Sequence, residues 1–242
     1  MLRGTPRDHL VLPSVPQVPV TIVDPASSAL EVAAVLLAGL SGMIVASRKH
    51  MDIVGTYTLA GVTAFGGGTL RDVLLDRRPL FWVEHWEYLA VLLVLCVAFV
   101  YSRPVYESAS WWERRFDFVD ALGLAAYGLL GASAALAAGS PLFVCALFGV
   151  ITATFGGVTR DVISMEIPQL FRPGGMYATA VFLGAWLYFA LLRAGVGESM
   201  AHALAFACIV GLRMVSLRYG VTLPKPLWLR ELQRTDEHGT PH

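Results

Sequence analysis

Two charged dipeptides stand where charge is expensive. In "TAFGGGTLRDVLL" (Thr63–Leu75), Arg71-Asp72 follows Gly66, Gly67 and Gly68 after two intervening residues. In "TATFGGVTRDVIS" (Thr152–Ser164), Arg160-Asp161 follows Gly156 and Gly157 at the same spacing. Both motifs lie in otherwise apolar segments. An ionisable group inside a membrane span faces a bundle interior or water, and marks a path for ions or substrate. Arg71, Asp72, Arg160 and Asp161 therefore read as charges that line or gate a pathway; stitching of neighbouring helices is the alternative. Adjacent residues on a helix do not face each other. Each arginine is thus expected to find another partner, with the aspartate offsetting its charge. Glycine costs about 1 kcal/mol against alanine in a helix interior. The motif glycines predict a break in each helix, whose freed carbonyls would suit a cation. Close helix packing is their other use.

These residues need a membrane scaffold. Of 242 residues, 56% are hydrophobic and 15% charged, and the mean hydropathy is +0.61. Soluble domains carry about 25% charged residues. The composition therefore indicates an all-α integral membrane protein. Lys+Arg and Asp+Glu are both 18, so no basic excess argues for nucleic acid. Cys96, Cys145 and Cys208 lie in apolar runs without metal-ligand spacing. No resident metal or cofactor is expected. No HExxH, Ser/His/Asp spacing or phosphate loop is present, which argues against an enzyme.

A spanning helix needs about 20 mostly apolar residues. Seven segments qualify: Ala29–Ser47, Ile53–Leu75, Trp86–Ser102, Asp117–Ala138, Pro141–Met165, Met176–Leu192 and Ser199–Leu217. The second and fifth hold the glycine motifs. The organisation reads as an N-terminal arm (1–28), a first three-helix repeat (29–102), a second (117–192), a seventh helix (199–217) and a tail (218–242).

The repeat is read from one ungapped offset of 89 residues. Gly39 meets Gly128, Gly42 meets Gly131, Thr63 meets Thr152, and Gly67-Gly68 meets Gly156-Gly157. Arg71-Asp72-Val73 meets Arg160-Asp161-Val162, Pro79 meets Pro168, and Tyr88 meets Tyr177. Three spans per copy make the second copy enter the membrane from the opposite face, the inverted architecture of many transport proteins. Five basic residues fall on the side of the N-terminus and eleven on the other. The positive-inside rule then predicts a cytoplasmic C-terminus and an external N-terminus.

Glu31 and Asp120 occupy corresponding first turns and are expected to favour the helix dipole or form a vestibule. Gly39, Gly42, Gly128 and Gly131 read as packing glycines. Tyr88, Tyr177, Trp82, Trp86, Trp111 and Trp112 read as interfacial belt residues, and Arg213 and Arg218 as anchors that snorkel or meet anionic lipid.

Two copies of GGxxRD in inverted three-helix repeats, a seventh helix, and the closing "LRMVSLRYGVTLP" (Leu212–Pro224) resemble one prokaryotic family. It is the family of membrane proteins called glycine transporters, which includes bacterial and archaeal homologues of the trimeric intracellular cation (TRIC) channels. The resemblance runs from about Leu30 to Pro224. It implies a 3+3+1 helical fold in a prokaryotic inner membrane, a homotrimer, and contact with membrane lipids. It also implies a pore in each protomer, between the repeats, for K⁺ and to a lesser extent Na⁺. The breaks would lie at Gly66, Gly67 and Gly68 and at Gly156 and Gly157, the second milder because Phe155 replaces Gly66. The phosphoinositide-binding motif of the animal channels has no match here. A monovalent cation channel is the leading expectation; a secondary transporter of glycine or another small zwitterion is the alternative.

Overall fold

Each of the seven apolar segments coincides with one long helix. The computed structural model describes residues 25–102, 109–172 and 176–221. Most of the N-terminal arm and of the tail lies outside them. The helices are α1 (Pro25–Arg48), α2 (Ile53–Leu74), α3 (Glu87–Tyr101), α4 (Ala109–Ala137), α5 (Leu142–Ile163), α6 (Tyr177–Arg193) and α7 (Glu198–Tyr219). A one-turn helix, Phe81–Glu84, and a 3₁₀ turn, Gln169–Phe171, follow α2 and α5. Among the described residues there is no strand. Four helices are long and apolar enough to cross a membrane on their own: α1, α4, α5 and α7. Two more, α3 and α6, are apolar but shorter, and α2 with its glycines and Arg-Asp pair is not among these six.

The inverted repeat appears in the packing. Helices α1 and α2 pack together as α4 and α5 do, α3 packs on α2 as α6 does on α5, and α1·α4 and α2·α5 join the halves. The turns repeat too. After α2 the chain takes left-handed backbone at Asp76 (φ 52°), and after α5 at Met165 (φ 56°). In both, the next amide closes onto the Arg-Asp aspartate's carbonyl: Arg77 N to Asp72 O at 2.8 Å and Glu166 N to Asp161 O at 2.9 Å. This Schellman closure satisfies carbonyls that lipid cannot. Helix α7 has no counterpart and packs on α4 and α6, both of the second repeat.

Two expectations are corrected. The helix breaks at Gly66–Gly68 and at Gly156–Gly157 are absent, since α2 and α5 run unbroken through both motifs. Tertiary packing uses the missing side chains instead. A Cβ on Gly67 would lie 2.0 Å from the Thr152 carbonyl oxygen, and one on Gly156 would lie 2.3 Å from that of Thr63. The two helices cross with backbone against backbone, which only small residues permit. Gly42 and Gly131 do the same for α1 on α2 and α4 on α5, as expected for packing glycines. Second, Glu31 and Asp120 are not first-turn residues, because α1 begins at Pro25 and α4 at Ala109.

Candidate functional site

The two Arg-Asp pairs lie in the last turns of α2 and α5, where the Schellman turns bring the chain back over the helix end. Both arginines and both aspartates are buried. In each case the neighbours in sequence pair directly. Arg71 Nε donates to Asp72 Oδ1 at 2.8 Å, and Arg160 Nε donates to Asp161 Oδ1 at 2.8 Å. The expectation that each arginine finds another partner is corrected for Arg71, which pairs with its own neighbour, and holds for Arg160, which pairs with its neighbour and with Asp120. Arginine is long enough to fold its fork round the helix onto the next residue, although their Cβ atoms diverge. The other carboxylate oxygen ties down the return loop. Asp72 Oδ2 accepts the Phe81 N–H and Asp161 Oδ2 accepts the Gln169 N–H, both at 2.9 Å.

The two ends then differ. Arg160 is fully buried, and its Nη1 also donates to Asp120 Oδ1 at 2.8 Å and to Ser41 Oγ. Ser41 Oγ donates in turn to Asp120 Oδ1 at 3.3 Å. One guanidinium thus joins α5 to α4 and α1. Its carbon lies 5.0 Å from the Phe116 ring centroid, and the Arg48 guanidinium lies 4.6 Å from the same centroid. At the other end, Arg71 lies over Phe81 at 5.4 Å. Glu31, the counterpart of Asp120, forms no ion pair with it among the described residues. Asp120, at 6% exposure, is an interior group rather than a rim group.

A cavity lies between the repeats, with room for about one water molecule. Its polar lining is Ser41, Thr63, Asp120, Tyr127, Thr152, Arg160 and Tyr177. Three buried atoms of this lining, Asp120 Oδ2, Thr152 Oγ1 and Arg160 Nη2, make no hydrogen bond of good geometry, although Nη2 meets Asp161 Oδ1 as an ion pair at 2.8 Å. Unpaired buried oxygens are costly and are normally met by water or an ion. Thr63, the counterpart of Thr152, instead donates to the Leu59 carbonyl. Tyr127 donates to the Ala64 carbonyl of α2, beside the glycines.

A second, larger cavity of about 170 Å³ lies at the C-terminal end of α5. Its charged lining is Arg48, Asp117, Asp161, Glu166 and Arg172, with Gln169 among them. Arg160 lines the first cavity and Asp161 the second. Their ion pair is therefore shared wall between the two spaces. At the rim, Lys49 and Arg172 reach Glu166 at 3.0 and 3.1 Å. The Lys49 hydrogen bond, above all, holds the Glu166 carboxyl below the usual carboxylate range. A depressed carboxylate stabilises above its unfolded pKa, about 4.3, and loses that contribution as pH falls through the lower folded value. The rim is partly exposed, so its pair is worth ~0.2–1 kcal/mol. Lys49→Met should cost no more than that in thermal unfolding at pH 7, and nothing once Glu166 is protonated. A larger loss at pH 7 would show the rim to be more than a surface pair.

The structure places the other expected residues as follows. Tyr177 is not a belt residue: it is buried and lines the first cavity. Arg213 is not a snorkelling anchor but is buried over the Tyr177 ring, 4.7 Å from its centroid. Trp82 donates to Thr69 Oγ1 at 3.0 Å. Ser41, Phe116, Tyr127 and Gln169 join the site without having been singled out. Ser41 and Tyr127 carried a signal, since each is a polar group far from the ends of an apolar span.

Comparison with known proteins follows the same geometry. The family model described as glycine transporter matches residues 28–104 and again 117–193, at the repeat offset. The chain is similar to the UPF0126 membrane protein of Vibrio cholerae serotype O1, with 34% identity over 187 residues, 76% of each chain. It is 32% identical over 197 residues to the UPF0126 inner membrane protein YadS of Escherichia coli K12, covering 81% of this chain and 93% of that one. Among solved structures it resembles the TRIC trimeric intracellular cation channel orthologue from Rhodobacter sphaeroides. The TM-score is 0.74 at 35% identity, over 81% of this chain and 98% of that one. A second prokaryotic TRIC channel matches with TM-score 0.71 at 28% identity, over 81% and 98%.

Proposed function

The chain belongs to the glycine transporter family that includes the TRIC channels, and from that premise we propose that it conducts monovalent cations, K⁺ and to a lesser extent Na⁺. The path runs within each protomer between the two repeats, and three protomers assemble in the inner membrane of a prokaryotic cell. The basic residues favour an orientation with the C-terminus, and hence the charged vestibule at the end of α5, facing the cytoplasm.

One observation carries this reading. The Arg160–Asp161 pair stands between a polar cavity at the α2–α5 crossing and a charged vestibule open toward one end. A cation in the cavity would meet Asp120 Oδ2 and Thr152 Oγ1, the oxygens that lack partners. A guanidinium in a cation path repels its cargo, at close range in low dielectric. Asp120 and Asp161 draw it to the wall and neutralise it. Moving Arg160 aside would join the two spaces.

The vestibule also gives a second reading some footing. Arg48 and Arg172 beside Asp117 and Glu166 suit the carboxylate and ammonium of a small zwitterion, so glycine transport is the alternative. The test is purified protein in a planar bilayer under a KCl gradient. Unitary currents reversing near the K⁺ potential are expected. A silent bilayer, with glycine uptake by parallel liposomes, would replace the channel with the transporter.

A further inference from the structure

Helix α7 lies outside the repeat, yet it carries a charge into the site. Arg213 is 3% exposed. Its Nη2 donates to Gln169 Oε1 at 2.6 Å, and its guanidinium carbon lies over the Tyr177 ring, 4.7 Å from the centroid. Gln169 is the residue whose backbone N–H donates to Asp161 Oδ2, at 2.9 Å. Tyr177 lines the cavity that Arg160 also lines. One turn further along α7, Ser216 Oγ accepts the Met176 N–H at 2.8 Å and donates to the Val221 carbonyl at 2.9 Å. The same face of α7 thus grips the start of α6. Charge is balanced by this arrangement: Arg160 and Arg213 are buried with Asp120 and Asp161. The first repeat has no such clasp. Leu80 stands where the second has Gln169, and Tyr88, the counterpart of Tyr177, is half-buried against His85 at 5.3 Å.

We propose that Arg213 is a positioning residue. From the helix outside the repeats it pins Gln169 and Tyr177, and through them holds the Arg160–Asp161 wall closed at this end of the molecule only. An apolar residue there would release Gln169, loosen the loop that orients Asp161, and let the wall part. The consequence for current rests on the channel reading; the mechanical claim does not.

The experiment compares wild type, Arg213→Met, Gln169→Leu and the double variant. Gln169→Leu copies the first repeat and leaves the charge in place, so it serves where Arg213→Met fails to fold. In hydrogen exchange, amides of Ser164–Arg172 should exchange about tenfold faster or more in either variant, since a charged hydrogen bond is lost. Those of Arg77–Leu80 should not change. Unchanged exchange over Ser164–Arg172 would overturn the proposal. In bilayers the variants should raise open probability at unchanged unitary conductance, and the double variant should not exceed the larger single effect. Additive effects, or a change in unitary conductance alone, would overturn it. A silent wild type would sink the channel reading and leave the exchange result to decide the clasp.

Discussion

Gly67→Ala and Gly156→Ala should each destabilise the protein by at least ~1–3 kcal/mol, the range for overpacking a well-packed interior. The upper part of that range is expected, because the added methyl meets a rigid partner. At Gly67 it would lie 2.0 Å from the Thr152 carbonyl oxygen, and at Gly156 2.3 Å from the Thr63 oxygen. A side chain could swing away; a helix backbone must move as a body. Moving α2 from α5 would widen the crossing on which the repeats meet. Gly211→Ala is the control. Nothing lies within 4 Å of a Cβ at that position, and removing a helix-interior glycine should gain ~0.5–1 kcal/mol. Thermal unfolding of the three variants in detergent reads the order directly. Equal behaviour of Gly67→Ala and Gly211→Ala would mean that the crossing is looser than the geometry requires. The same variants bear on function, since a helix separated at its crossing should leak current if the path runs there.

Asp120→Asn should cost about 3–5 kcal/mol, the loss typical when one partner of a buried ion pair is removed. The amide keeps the shape and removes the charge. Arg160 then retains Ser41 as an acceptor but only Asp161 as a counter-charge while fully buried, and an amide nitrogen turned toward the guanidinium would set donor against donor. Glu31→Gln supplies the contrast. It is the same substitution at the corresponding position of the other repeat, where no ion pair with Arg71 forms. It should change stability by less than ~0.5 kcal/mol. Under the channel reading, Asp120→Asn should also alter gating, because Arg160 loses its hold on α4. Comparable unfolding of the two variants would show that the two ends of the molecule are held alike.

How much was legible beforehand can be followed residue by residue. The doubled motif at one offset was plain in the sequence, and the family match falls twice at that offset. Arg71, Asp72, Arg160 and Asp161 were visible because charge in a hydrocarbon segment is too costly to be incidental. Arg213 met the same criterion, but its place near the end of α7 suggested an exit to the interface. Nothing in a single sequence says which face of a helix a neighbour covers. The partner of Arg160 was hidden for a different reason: Asp120 lies 40 residues away and Ser41 lies 119 away. Only the packing of α1, α4 and α5 brings them together.

The glycines show most clearly where the two levels divide. Sequence determined that small residues must stand at Gly67 and Gly156, and hydropathy with the repeat determined seven helices in an inverted order. Whether those glycines break the helix or admit another depends on what stands opposite. An isolated helix pays for glycine in lost conformational preference, while a packed pair recovers it in close backbone contact. Tertiary structure decided for contact, because the pseudo-two-fold arrangement sets each glycine against the carbonyl of the threonine that begins the other motif. It also decided that the two halves, nearly alike in sequence at their charged ends, are not alike in bonding. Helix α7 and Asp120 stand at one end only, and charge is held by whatever the fold brings within reach.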